Sequence, residues 1–399
     1  MNDAPSPVGE SARTRFGLRI AVVTETFPPE INGVAMTVGR MLEGLLRRGH
    51  AIQLVRPRQH RGDVARFAAS YAELLVPGFP LPRYDGLRMG LPAERTLRRL
   101  WGEERPHIVH VVTEGPLGRS AVNAARLLRI PVSSDFHTNF DAYSEHYGFG
   151  LLRPLVSAYL RRFHNGANCT FVPTRQLCAR LEAEGYRDLL VVARGVDAKL
   201  YTPARRSTQL RASWGVQDHA LAVMYVGRLA PEKNLPLVLA AFERIKSRLP
   251  SSRLVLVGDG PLRPNLLRRH SEHIFAGVRR GEDLAAHYAS GDVFLFPSIT
   301  ETFGNVTVEA MASGLAVVAY DYAAGREHIE HGHSGLLAPV DDAPSFIRMS
   351  ADLAADRTLI ERLRRNARVV AERIDWNEVI DAFDLALSGL AARWQSPPG

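Results

Sequence analysis

Lysine is close to absent from this chain. Of 50 basic residues only Lys199, Lys233 and Lys246 are lysines, so a lysine at a ligand-facing turn stands out against an arginine background. Cysteine is equally scarce. Cys169 and Cys178 give neither a disulfide framework nor a metal-ligand spacing, and the expected compartment is reducing. No apolar run approaches the roughly 18 residues that a membrane-spanning helix needs. Residues 1–14 are polar and rich in Pro and Ser, and the first apolar run, Leu18 to Val23, is too short for a secretory signal and is soon followed by Glu25. A cytoplasmic protein is expected, with the inner membrane face as its one membrane contact. Acidic residues are under-represented in the first half only: residues 1–195 hold 26 Lys+Arg against 18 Asp+Glu, and residues 196–399 hold 24 of each, so the formal charge of +8 belongs entirely to the first half. That asymmetry argues for an anionic partner, a membrane surface or nucleic acid, unless it reflects a general preference for arginine. The nucleic-acid reading lacks a binding motif and interleaved aromatics. A chain of 399 residues, 46% of them hydrophobic, is globular and long enough for two domains.

What is present centres on the stretch Asp292 to Gly314, DVFLFPSITETFGNVTVEAMASG. Val293 to Phe296 reads as a buried strand stopped by Pro297, and Asn305 to Ser313 reads as a helix stopped by Gly314. The loop Ser298 to Gly304 therefore sits at the carboxyl end of a strand and the amino end of a helix. Unpaired N–H groups and the positive end of the helix dipole point into the crevice there. Glu301 sits in this anion-favouring loop and Glu309 in the first turns of the helix after it. Carboxylates repel a phosphate, but they suit the hydroxyls of a sugar and a ribose.

The remaining chain alternates strands and helices. Leu18 to Thr24, Ile52 to Arg56, Ile108 to Val112, Val132 to Phe136 and Thr170 to Pro173 read as strands, and Val34 to Arg48 as a helix, which predicts a doubly wound parallel sheet. Ala193 to Pro203 breaks the pattern and reads as a hinge. A second set of strands follows at Ala220 to Val226, Leu254 to Val257 and Ile274 to Gly277. Gly33 lies in the turn after the first strand, Arg228 and Lys233 after the sixth, and Gly258 in the G258DGP261 turn.

The segment E301TFGNVTVE309AMASG314, with its Glu-x7-Glu spacing, resembles the signature of the retaining nucleotide-sugar glycosyltransferases of family 4, and the likeness runs from about Arg19 to Trp376. The resemblance implies a GT-B fold, two Rossmann-like doubly wound parallel-sheet domains facing each other across a cleft. The expected divisions are a disordered tail (1–15), an acceptor-binding domain (16–195), a nucleotide-sugar domain (196–375) and a helix crossing back to the first domain (376–399). It further implies a diphosphate clamp from Arg228 and Lys233 and a ribose contact from Glu309. Glu301 and the backbone of Phe303, Gly304 and Asn305 would hold the sugar, and Val278 would lie near the base. Gly33 and Gly258 would face the donor, and His137 would lie beside the transferred sugar. Asp135 and Tyr143 are weaker acceptor candidates.

HTNF at His137 to Phe140, RGVD at Arg194 to Asp197 and ETFGNVT at Glu301 to Thr307 look most like bacterial mannosyltransferases and related glycolipid enzymes. GDP-mannose is the first expected donor and UDP-glucose the second, with a lipid-linked or glycan acceptor. Arg194 departs from the Asn found at that position in many members. Asp-x-Asp, the usual metal holder of nucleotide-sugar enzymes with the other common fold, is absent, and no metal or other cofactor is expected. The alternatives are a sugar-nucleotide epimerase on the same fold and, from outside enzymology, a nucleic-acid-binding protein. The helix expected at Leu151 to Phe163 carries Arg153, Arg161 and Arg162, which suits either a core crossover or a lipid interface.

Overall fold

Parallel strands covered on both faces have to be apolar throughout, and the uninterrupted runs of this sequence become the centres of two sheets. The computed structural model describes residues 17–30, 32–80, 88–137, 153–217 and 220–395. In the first domain the strands are β1 (Arg19–Val23), β2 (Ala51–Pro57), β3 (Phe67–Ala68), β4 (Tyr71–Val76), β5 (Gly78–Pro80), β6 (Arg88–Gly90), β7 (Ile108–Val111), β8 (Val132–Asp135), β9 (Cys169–Val172) and β10 (Leu189–Val191). Eight of them form one sheet in the order β10-β9-β8-β7-β1-β2-β4-β3, parallel except for the β3–β4 pair, while β5 and β6 form a separate antiparallel pair. The short β3, β5 and β6 carry too little apolar periodicity to be read from sequence.

The second domain holds β11 (Ala222–Val226), β12 (Arg253–Val257), β13 (Ile274–Gly277), β14 (Val293–Phe296), β15 (Ala316–Tyr320) and β16 (Leu336–Ala338). Their order, β13-β12-β11-β14-β15-β16, is the 3-2-1-4-5-6 winding of a dinucleotide-binding sheet, and all pairs are parallel. Every residue of β11, β14 and β15 is buried. In each sheet the winding reverses beside the first strand, between β1 and β7 and between β11 and β14. The loops leaving those four strands line the crevice.

Helix Gly33–Arg47 covers one face of the first sheet; Asn32 caps it, its Oδ1 accepting the Ala35 N–H at 2.8 Å. The C-terminal helix Trp376–Gln395 joins the same layer, where Phe383 and Leu387 pack with Val38, Met41 and Leu45. Polar contacts fix its register: Arg48 to Asp381 at 2.5 Å, His50 Nε2 to Asp384 at 3.1 Å, and Trp394 Nε1 donating to the Arg129 carbonyl at 2.8 Å. The chain thus passes between domains twice, outward near Gly195 and back near Asp375. The two passes lie side by side, with Val196 bridging Asp375 and its N–H bonded to the Ile374 carbonyl at 3.0 Å.

Candidate active site

The loop after β14 and the loop after β11 meet at the reversal of the second sheet. A 3₁₀ turn, Pro231–Lys233, ends at Asn234 in the left-handed conformation, and Asn234 Nδ2 donates to the Pro297 carbonyl at 3.3 Å, tying one loop to the other. This places the Lys233 ammonium directly against Glu301 Oε1, which also accepts from Ser298 Oγ at 2.8 Å. Arg228 reaches the buried Glu232 at 3.3 Å, and Thr300 Oγ1 donates to the Glu232 carbonyl at 3.2 Å. Gly304 has φ +92 at the start of the Asn305–Ala312 helix, a conformation that favours glycine and leaves the first-turn N–H groups aimed at the crevice.

Glu309 sits one turn into that helix. Tyr288 donates to its Oε2 at 3.0 Å, and Tyr201 donates to the same carboxyl. Burial pushes the Glu309 carboxyl up to about 7, and the two phenols oppose that rise. The group is thus poised to ionise when better donors arrive.

The loops leaving the first sheet face these residues. A Cβ added to Gly33 would come within 3.6 Å of Asn305 Nδ2, and Thr302 Oγ1 donates to the His137 carbonyl at 3.2 Å. Gly33, His137, Glu301 and Asn305 therefore line one crevice, although the first two lie more than 150 residues before the others. Arg40 to Asp197 (2.5 Å) and the Arg175 N–H to Glu327 (3.0 Å) hold the walls together further out.

His137 stands in a buried polar cluster. Its Nε2 lies 2.9 Å from Asp135 Oδ2 and its Nδ1 lies 3.3 Å from Arg194 NH2; Arg194 and His110 approach the same Asp135 oxygen at 3.8 and 3.6 Å. Because a guanidinium can only donate, Nδ1 is the acceptor and the proton resides on Nε2, toward Asp135. Burial lowers the His137 pKa against the pull of Asp135, so the ring is neutral. Burial alone would raise the Asp135 carboxyl, but its imidazole neighbours outweigh it and hold the group well below the usual carboxylate range.

Three expectations change in detail. Asp135 is 1% exposed and orients His137, so it is not a surface for the acceptor. Gly258 has a packing role: a Cβ there would fall 2.0 Å from the Gly227 carbonyl, so the glycine lets the loops after β11 and β12 pass each other. Phe303 is buried, its carbonyl accepting the Ala324 N–H at 2.7 Å and its ring edge-on to His328, which leaves only its N–H for the crevice. Val278 is 48% exposed at the end of β13, and Tyr143 lies outside the described residues. Sequence reasoning missed His110, Tyr201, Tyr288 and Ser298. Only Ser298, inside the signature loop, carried any local signal.

Two family profiles match the chain: residues 31–200 fit one described as Glycosyltransferase Family 4, and residues 220–356 one described as Glycosyl transferases group 1. A GDP-mannose-dependent alpha-mannosyltransferase of Mycobacterium tuberculosis is 36% identical over 82% of this chain and 85% of its own length. An alpha-monoglucosyldiacylglycerol synthase of Acholeplasma laidlawii is 27% identical over 88% of this chain and 92% of its own. Among solved structures, a sucrose-phosphate synthase from Thermosynechococcus elongatus superposes with a TM-score of 0.76 at 18% identity, covering 94% of this chain and 100% of the other. At that identity the likeness shows the fold alone, which is GT-B.

Proposed function

Because the chain belongs to glycosyltransferase family 4, we propose that this glycosyltransferase moves mannose from GDP-mannose to a membrane glycolipid or other glycan acceptor, with retention of anomeric configuration. The observation that carries the reading is the meeting of Lys233 and Glu301 at the reversal of the second sheet, before the helix that carries Glu309 and opposite Gly33 and His137. In this reading Arg228 and Lys233 bind the diphosphate and neutralise the charge that grows on it as the glycosidic bond breaks. Glu309 exchanges its phenol donors for the ribose hydroxyls. Glu301 and the N–H groups of Phe303, Gly304 and Asn305 take the sugar hydroxyls, and Gly33 leaves room for the phosphates.

Retention by attack on the face the diphosphate leaves suits this crevice, with the donor's own phosphate oxygen accepting the acceptor proton. His137 has both ring nitrogens engaged and serves as a neutral orienting group, not as the base. The relative named as GDP-mannose-dependent supports the donor, and its alpha product from an alpha-linked donor supports retention. UDP-glucose is the alternative donor, favoured by the name of the glucosyldiacylglycerol synthase. No metal is expected in the reaction, because Arg228 and Lys233 supply the countercharge.

The lipid acceptor draws support from the basic first half and from the helix Arg153–His164, where Leu155 and Tyr159 are exposed beside the exposed Arg161 and Arg162. The discriminating experiment gives the purified enzyme labelled GDP-mannose or UDP-glucose with a bacterial lipid extract. A labelled lipid from GDP-mannose alone is expected. Transfer from UDP-glucose alone reverses the donor assignment, and epimerised donor formed without acceptor overturns the transfer reading. Sedimentation with anionic vesicles at low salt, release at high salt and indifference to zwitterionic vesicles test the membrane contact.

A further inference from the structure

The turn His270–Ser271–Glu272–His273 joins the helix Arg263–Arg269 to the amino end of β13, on the side of the second sheet away from the crevice. Three potential ligand atoms converge there: His270 Nδ1 lies 3.8 Å and His273 Nε2 lies 3.5 Å from Glu272 Oε1, and all three fall within 4.8 Å of one another. His273 is 6% exposed, and its Nε2 is buried without a hydrogen-bond partner. A buried imidazole nitrogen in that state is unfavourable unless something else satisfies it. The two rings stack 5.7 Å apart within 3° of parallel, and Phe242 meets His273 edge-on at 5.2 Å, so the imidazole is held in place while its nitrogen points at Glu272.

We propose that His270, Glu272 and His273 form a site for a divalent transition-metal ion of the zinc type. Two imidazoles and one carboxylate are a donor set that suits zinc and its neighbours; magnesium prefers an all-oxygen shell. In a tetrahedral site with bonds of about 2.0–2.2 Å, neighbouring ligand atoms sit about 3.3–3.5 Å apart. The two distances to Glu272 already lie close to that spacing, and the partly exposed His270 and Glu272 can move to bring the third ligand pair, now within 4.8 Å, to it. Water takes the fourth position on the open side. The ion would pin the edge strand β13 to the helix before it, at the end of the sheet opposite the reacting groups, so it would stabilise the fold and take no part in transfer.

The test uses the full chain with any histidine tag removed, titrated calorimetrically with zinc chloride and melted with zinc, magnesium or EDTA. One zinc ion per chain at micromolar or tighter affinity and a melting temperature raised by zinc but not by magnesium are expected. His270→Ala and Glu272→Gln, both at the exposed side of the turn, should each weaken zinc binding at least tenfold while leaving the transfer rate in EDTA unchanged. Because the chain has 14 histidines, adventitious binding is separated by the variants. Zinc binding that is equally tight in both variants, or no saturable binding to the parent at micromolar zinc, overturns the assignment.

Discussion

Lys233 and Glu301 touch, and their coupling can be measured. Lys233→Met removes one charge-assisted hydrogen bond to the donor diphosphate, worth roughly 1.5–3 kcal/mol, which is about 10- to 150-fold in donor affinity and in kcat/KM. It also leaves the Glu301 carboxylate, still accepting from Ser298, without the ammonium beside it and facing the diphosphate. Glu301→Gln alone loses sugar recognition and takes the carboxylate away from Lys233. In the double variant the stranded charge is gone, so the combined loss should fall short of the sum by about 0.5–3 kcal/mol, the range for residues in direct contact. The assay is a double-mutant cycle on kcat/KM for the donor, with nucleoside-diphosphate binding read from thermal shifts, since a ligand at 100 times its Kd adds about 2.7 kcal/mol. Arg228→Ala should weaken binding in the same direction, with circular dichroism unchanged. A Lys233→Met enzyme within twofold of the parent, or strictly additive losses, would refute the clamp.

Glu309 gives the pH dependence. Its carboxyl is raised to about 7, so between its unfolded value and 7 the folded chain binds more protons than the unfolded chain, and this group's contribution to stability declines as pH rises through that window. Ribose hydroxyls favour the ionised form, so nucleotide affinity should climb from pH 5.5 to about 7 and level off above, as followed by thermal shift across that range. Glu309→Gln should bind more weakly and lose the slope; an unchanged slope would exclude it as the titrating group. Arg194→Met removes one of the groups that lower the His137 pKa while burial and Asp135 remain, so that pKa should rise and kcat/KM should acquire a second acidic limb beside the one Glu309 gives the parent. A parental pH profile in that variant would show that Arg194 does not control the ring. Transfer should survive excess EDTA, and loss that magnesium or manganese restores would reveal a catalytic metal.

The sheets were legible in the sequence because parallel strands buried on both faces leave unbroken apolar runs, as in VFLF at Val293 and AVMYV at Ala222. The crevice loop was legible because its parts are contiguous: Pro297, Glu301, Gly304 and Glu309 span thirteen residues of chain. What stayed hidden depends on register between distant segments. Arg194 could be noticed only as a departure, since its approach to His137 across 57 positions follows from how the hinge packs beside β8. Asp292 opens the signature stretch, yet nothing local announces that it is buried under Arg206 at 2.7 Å and Arg211 at 2.8 Å while accepting the Ala222 N–H, a brace that aligns β14 with β11. Tyr201 lies in a segment whose composition speaks only of a turn, although it reaches the carboxyl of Glu309.

The adjacent outward and return passes make the second domain an insert in the first, entering and leaving through neighbouring backbones joined by the Val196 N–H. Two neighbouring passes of backbone restrict sliding more than swinging, so a rotation about the Gly195–Asp375 crossing is the relative motion this tether permits. The two ends of the insert also lie within a strand spacing of each other, about 5 Å, so the nucleotide half can be cut out as a closed module without stretching its chain.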